Sequence, residues 1–503
     1  MIKRICYIYV MISICLLSAI DQVGTSGSMG SVTIDGKLYN QISIRPELAY
    51  GRLGIGLDVY LYFNDDGIYD GNWNFSSINS SYKTIIDKVY YLRWGSKNDD
   101  LYFRVGALPN VTLGYGILVN KYSNIMQYPD IRRIGLDFIA KLKGRYKINI
   151  IHSDFKQMTP GLLGLRLSAN TRSIPRLQWG ITGAIDIDQN RGFPDHDGDN
   201  YPDFFDPYPY DSNLWDTAIA EKDYWEEVYS EISPNPNQTD FEAWFDTTSY
   251  IGRNEYSPSD YSNVDPISGI SFDLSYRITK SSYVYTQFAQ LFGKTTKISD
   301  DLNNSLGYGF IPIGFHGKYG IFSINGEYRI SSKNFIFNYW DMSYDLNRVS
   351  LSEDSNSESA DIITKESTLY RYGDLSGLYL NLNAHLFDLI TFDFAYQRMN
   401  GDIWSDSDNK YIEDNNNSIL CLLKLNTNFF DIIENAQMVY QQNNVQNPFS
   451  FNPTPTTIYG YDVSVKVSSN MLMLYKRRIT YEINGNGDLV EVPTLQIETQ
   501  MKF

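Results

Sequence analysis

Residues 53–63 read Leu53-Gly54-Ile55-Gly56-Leu57-Asp58-Val59-Tyr60-Leu61-Tyr62-Phe63. The odd positions are all apolar (Leu53, Ile55, Leu57, Val59, Leu61, Phe63), and the even ones are Gly54, Gly56, Asp58, Tyr60 and Tyr62. Side chains alternate across a strand with a period of two, so this stretch predicts one strand with an apolar face and a small or polar face. The same division returns at Phe272, Leu274, Tyr276, Ile278 against Ser271, Asp273, Ser275, Arg277. It returns again at Leu378, Leu380, Leu382, Ala384, Leu386 against Tyr379, Asn381, Asn383, His385. A fourth case is Ile390, Phe392, Phe394, Tyr396 against Thr391, Asp393, Ala395, Gln397.

Length distinguishes the architectures that alternate in this way. Soluble sandwiches use strands of about five or six residues, whereas a tilted strand crosses a bilayer in about 9–11. The segments here run to about that bilayer length. Tight turns are readable at Gly51-Arg52, Lys97 to Asp100, Lys143-Gly144, Arg172 to Pro175, Thr279 to Ser282, Gly317-Lys318, Phe387-Asp388 and Phe430-Asp431. Between them fall long polar excursions near 64–84, 109–131, 188–267, 293–306, 331–375, 401–416 and 443–456. Tight turns on one side and long loops on the other are the connectivity of a membrane barrel. The expected fold is therefore all-β: a transmembrane antiparallel up-and-down barrel of about 18–20 strands with one long, partly helical loop. Segment 31–50 reads as one strand or two.

Composition agrees. The 503 residues include 41 Tyr, 26 Phe and 8 Trp, yet only 43% are hydrophobic. Aromatic girdles around a polar lumen produce that balance, and a thick apolar core does not. After residue 20 no stretch is uniformly apolar over a helix-spanning length, which excludes a helical membrane protein. A net charge of -17 excludes nucleic acid as a partner, because phosphate recognition needs a basic face.

The two ends add direction. Lys3 and Arg4 precede an apolar run from Ile5 to Ile20 and small residues from Gly24 to Ser28, the order of a secretory signal peptide. The expected organisation is a signal at 1–27, a barrel at 28–503 and a long external insertion at 188–267. Cys6 and Cys15 would leave with the signal, so Cys421 has no internal disulfide partner. The last residues place Leu495, Ile497, Thr499, Met501 and Phe503 on one face. A final strand ending in Phe503 resembles the signal that delivers outer-membrane barrels to their assembly machinery. In general pattern the whole chain is similar to the large porin-like barrels of Gram-negative-type bacteria. That resemblance implies an outer-membrane location, contact with membrane lipid, passage of small hydrophilic solutes, and a monomer or a homo-oligomer.

The most specific local motif is Asp195-His196-Asp197-Gly198-Asp199-Asn200-Tyr201-Pro202-Asp203-Phe204-Phe205-Asp206. Carboxylates at Asp195, Asp197, Asp199, Asp203 and Asp206, with the Tyr201 carbonyl, supply the oxygen donors that Ca²⁺ prefers. Asn200 stands where an EF-hand has Gly, and Asp206 where it has a bidentate Glu. With its flanking prolines the motif is similar to the aspartate-rich calcium repeats of thrombospondin type 3, which implies a structural Ca²⁺ ordering the loop. Leu214 to Ile232 reads as a helix in the same loop.

For the lumen, the polar faces offer Asp58, Arg93, Arg104, Arg166, Asp273, Arg277, Glu327, Arg329 and Asp393. Opposed charges inside a barrel would orient polar solutes. The 109–131 segment, with Pro109, Gly114, Tyr115 and Gly116, is the expected constriction loop. Of four histidines, His196 lies inside the acidic motif and reads as a spacer, His385 faces inward one hairpin from Asp393, and no nucleophile accompanies them. The leading expectation is a porin-like passive channel without catalysis; the alternative is a surface-exposed binding or structural barrel whose Ca²⁺-ordered loop engages an extracellular partner.

Overall fold

A computed structural model describes residues 23–34, 37–65, 67–69, 73, 75, 78–127, 131–157, 159–193, 202, 229–230, 264–299, 302–353, 360–386, 389–425, 432–468, 471–483 and 489–502. Its main sheet is a closed antiparallel ring of 20 strands. The first, Val23–Ile34, pairs with Lys37–Tyr50 on one side and with the last, Leu489–Lys502, on the other, so no edge is left open. Segment 31–50 thus belongs to two strands. The first of them starts at Val23, within the segment read as signal peptide.

The stretch 53–63 forms one wall in two pieces, Leu53–Leu57 and Val59–Asn64, broken at Asp58. Below the break it pairs with Val89–Trp94. Above it the Asp58 N–H donates to the Lys88 carbonyl at 2.9 Å.

Two expected boundaries move. The turn placed at Gly317-Lys318 lies at 320–321, because the strands run Tyr308–Tyr319 and Phe322–Ser331. The excursion expected at 401–416 is instead the upper half of two 16-residue strands, Ile390–Ser405 and Lys410–Leu425. Their Asn415, Asn416 and Asn417 extend a ladder that needs only backbone groups, so a polar sequence continues the strand.

Cross-strand register carries one face from strand to neighbouring strand. Arg166 pairs with Thr182, Thr182 with Ser271, and Asp273 with Gln287; Glu327 pairs with Tyr379 and Tyr379 with Gln397. Thr182, Ser271, Asp273 and Gln287 are all under 5% exposed. The opposite face bears Leu165, Leu167, Ile270, Phe272, Leu378 and Leu380, all bare at 45–65%. A closed strand ring with an apolar exterior and a polar interior is the architecture of an outer-membrane β-barrel: every backbone group is paired and the apolar belt meets lipid.

The tight turns gather at one end, where Val23 and Lys502 also lie. The long connections gather at the other, together with the short turn at 406–409, and the apolar core sits there inside the ring. It is built from 107–134 (Leu108, Val111, Leu113, Ile117, Leu118, Val119, Tyr122) and from 332–371 (Phe335, Phe337, Tyr339, Trp340, Tyr344, Leu369), each 8% exposed or less.

Candidate functional site

The segment 107–134 folds on itself through a bridge from Val111 to Tyr122, then pairs with the second loop. The Asn120 N–H donates to the Trp340 carbonyl at 3.0 Å, the Trp340 N–H to Leu118 at 3.1 Å and the Asn338 N–H to Ile117 at 3.0 Å. Two loops from distant parts of the ring therefore share a small internal ladder. Each covers apolar residues that neither could bury alone.

Their anchors reach across the lumen. Segment 107–134 leaves the ring between the strands Leu101–Gly106 and Gly135–Leu142, yet Lys121 donates from Nζ to Asp393 Oδ2 at 2.7 Å. Asp393 belongs to Ile390–Ser405, half-way round the ring of 20. The loop therefore spans the barrel. Gly114 (φ +66°) lies so close to the Arg166–Asp273 pair that a Cβ there would sit 2.7 Å from Arg166 Nη1. Tyr115 stacks on Tyr285 with centroids 4.3 Å apart. Arg132 donates to Asp58 at 2.9 Å and to the Tyr62 hydroxyl at 3.2 Å. The loop expected at 109–131 is thus an inward loop.

The second loop is fixed at its base. Arg348 makes a forked pair with Asp186, Nε at 2.6 Å and Nη2 at 2.8 Å, and the Tyr344 hydroxyl donates to the same carboxylate at 2.7 Å. The Tyr122 hydroxyl donates to Asp345 at 2.8 Å, tying one loop to the other. The buried Arg348 is held above its usual pKa by Asp186, despite burial acting the other way. At the mouth Glu366 accepts from the Lys294 N–H and, at 3.0 Å, from Gln189 Nε2. Burial, and then the nearby Asp265, push its carboxyl up to about 8.

The wall residues selected from sequence resolve into separate networks. Asp58 lies between Arg132 and Arg45, and Arg45 also reaches Glu498. Arg166 grips Asp273, with one arm at 2.9 Å, and donates to Thr182 at 3.0 Å. Arg329 donates from Nε to Glu327 at 2.7 Å and lies 3.8 Å over the Tyr379 ring, while the Tyr285 hydroxyl donates to Glu327 at 2.5 Å. Arg104 donates to the Ala107 carbonyl at 2.7 Å at the start of the inward loop. Arg93 shares its face through the Arg93–Arg104 register. Arg277 is on the inner face at the turn end, exposed, and in register with Tyr283, whose ring lies 5.5 Å from Tyr115 of the inward loop.

The pairing of His385 with Asp393 is not formed: His385 Nδ1 lies 3.2 Å from Thr391 Oγ1, and Asp393 is taken by Lys121 and Asn381. Sequence reading missed Arg45, Lys121, Arg132, Asp345, Arg348 and Glu498. It also missed the apolar package, although Phe335-Ile336-Phe337-Asn338-Tyr339-Trp340 is an apolar run with no place in a solvated loop. Asp195, Asp197, Asp199, Tyr201, Asp203 and Asp206, most of Leu214 to Ile232, and Phe503 lie outside the described residues.

The package leaves one sector of the inner wall less covered. On the strands Lys410–Leu425, Ile433–Val445, Ile458–Ser468 and Met471–Ile483, inward Lys424 and Gln437 are exposed, and Asp462 and Lys476 half-buried. Gln437 donates to Asp462 across the wall. The result is a polar strip beside an apolar obstruction, able to hold water and charged solutes along one side.

No protein-family model and no curated protein matches the chain. Among solved structures it is similar to OccK11 (OpdR) of Pseudomonas aeruginosa, at 8% identity over 96% of this chain and 95% of that one, with a TM-score of 0.30. It is similar to a mutant porin of Rhodopseudomonas blastica at 8% identity, over 96% and 99%, with a TM-score of 0.26. A mutant ferric enterobactin receptor (PfeA) of Pseudomonas aeruginosa in complex with enterobactin is similar at 9% identity, over 96% and 81%, with a TM-score of 0.33.

Proposed function

We propose that this barrel is an outer-membrane channel for small hydrophilic solutes, narrowed by two inward loops that confine passage to the polar sector between Lys410–Leu425 and Met471–Ile483. The observation that carries the reading is the Lys121–Asp393 strut, which sets 107–134 across the lumen; the two loops meet that sector towards its upper end, where Arg478 donates to the Met126 carbonyl and Gln441 to Ser343, and leave Lys424 and Gln437 below them exposed. Barrels of 16–18 strands already enclose water unless loops fold inward. In a ring of 20 the size-limiting element is therefore the loop package and not the wall. Solute selection then falls to charges of both signs beside the package: Lys424, Asp462 and Lys476 on the wall, and Asp393 with Lys121 at the strut. No step of this reading is catalytic.

Planar-bilayer recording of the purified barrel tests it. Discrete conductance steps, reduced by high concentrations of a permeant hydrophilic solute, are the expected result. A barrel that inserts and never opens would leave a surface-binding or structural role, which the buried apolar package favours as the second reading.

In the 188–267 insertion we infer that Asp195, Asp197, Asp199, Asp203, Asp206 and the Tyr201 carbonyl hold a structural Ca²⁺. The donor set is hard oxygen throughout, and a long polar loop has a large ordering cost that a bound ion offsets. Ca²⁺ should protect this loop from added protease, and replacing Asp195, Asp197 and Asp199 by Ala should remove the protection. Protection that persists in the triple variant would show that the motif binds no ion.

A further inference from the structure

The helix Ile78–Asp87 joins the strand Val89–Trp94 through the single residue Lys88. Successive helical residues are about 100° apart, so Ile78, Tyr82 and Ile85 fall within about 60° of one another, with Asp87 on the opposite side. The two sides are inverted relative to a helix on a water-soluble protein. Ile78 is 92% exposed, Ile85 64% and Tyr82 50%, whereas Thr84 and Asp87 are buried. The buried polar side is held firmly: the Asp87 carboxylate accepts from the Tyr60 hydroxyl, from Lys88 Nζ at 3.1 Å and from Lys156 Nζ at 3.0 Å.

Those contacts give the helix its direction. Tyr60 stands on the inner wall, in register with Ser43. A helix face bonded to Tyr60 therefore looks toward the lumen, and the apolar stripe looks away from it. The strand that follows places Tyr90, Leu92 and Trp94 on the exterior, with Tyr90 40% exposed, and Phe75 just ahead of the helix is 46% exposed. The stripe adjoins the lipid-facing belt in sequence and shares its outward sense. Its make-up, Ile with Tyr, is that of an interfacial element, with an apolar body and a polar tip at headgroup level.

We propose that Ile78–Asp87 is a membrane-interface helix: Ile78, Tyr82 and Ile85 lie on the outer-leaflet lipid, and the Asp87–Tyr60–Lys156 cluster fixes the helix to the rim. The partner is the lipid surface itself. This rests on the barrel standing in a bilayer and not on its being an open channel.

Nitroxide labels test it in the full-length barrel, with Cys6, Cys15 and Cys421 each replaced by Ser as background and vesicles of phosphatidylcholine and phosphatidylglycerol. Single substitutions Ile78→Cys and Ile85→Cys carry the probe; Phe272→Cys on the exterior belt and Arg172→Cys on a tight turn are the references. The labels at 78 and 85 should relax several-fold more with oxygen than with a water-soluble nickel chelate, as the label at 272 does. Relaxation like that at 172 would place the helix in water, and exclusion of both relaxants would place it under a second protein surface; either overturns the proposal. A label at 272 without the lipid signature would instead overturn the barrel's membrane placement.

Discussion

Gly180 illustrates how much of the lumen depends on a side chain that is missing. Arg166 and Asp273 sit on strands that are not neighbours; the strand Leu177–Asp186 runs between them, and Gly180 is in register with Asp273. A Cβ at Gly180 would lie 2.2 Å from Arg166 Nη2, so the guanidinium crosses that strand only because Gly180 is glycine. Alternation was enough to turn both charges inward, since a period of two fixes a face. It could not pair them, because the pairing depends on ring order and on the space above an intervening residue. Gly180→Ala should push the guanidinium aside and weaken its grip on Asp273, which is fully buried, at a cost of about 1–3 kcal/mol. Gly183→Ala, where nothing lies within 4 Å of the added atom, should be close to neutral. Urea unfolding of the two variants in detergent micelles makes the comparison; equal losses would mean that the pair does not depend on Gly180.

Among the elements, the inward loop at 107–134 was legible from its glycines and its place between strands. Its companion at 332–371 was read only as a polar excursion. The difference is physical: polar residues dominate that segment, and its apolar run is short, so what it packs against appears only when the ring closes. The mouth anchor Glu366 shows a further property invisible in sequence. The residue is 1% exposed, faces Asp265 and Asp186, and accepts from Gln189 and the Lys294 main chain. Burial first and Asp265 second raise its carboxyl from the ordinary 4.5 to about 8. A raised acid favours the packed state while it is protonated, so its contribution is full below 4.5 and is lost as pH rises to about 8. Hydrogen exchange at Ser367–Arg371, corrected for intrinsic rates, should therefore quicken across that interval. Glu366→Gln, which stays neutral, should flatten the dependence; an unchanged pH profile in the variant would remove Glu366 as its source.

For the whole molecule, ring closure and loop packing are separable sources of order. The backbone ladder runs through 20 strands and closes between Val23–Ile34 and Leu489–Lys502 without using either inward loop. The loops use the ring as a container, touching it through Asp58, Asp393 and Asp186. Strand number, alternation and turn side could be read from the chain because they are local and repeat many times. The obstruction could not, because it is made once, between residues such as Leu118 and Trp340 that lie far apart in sequence. If the two sources are separable, replacing 113–121 by a short Gly-Ser linker should leave a barrel that still assembles and resists unfolding until heated. The same replacement removes Lys121, the Tyr115–Tyr285 stack and the ladder to Trp340. Single-channel conductance should then rise several-fold, and selectivity among charged solutes should fall, because the polar sector would no longer be the narrowest path. A barrel that assembles with unchanged conductance would assign the constriction to 332–371 alone. A chain that fails to assemble would show that the ring needs its contents.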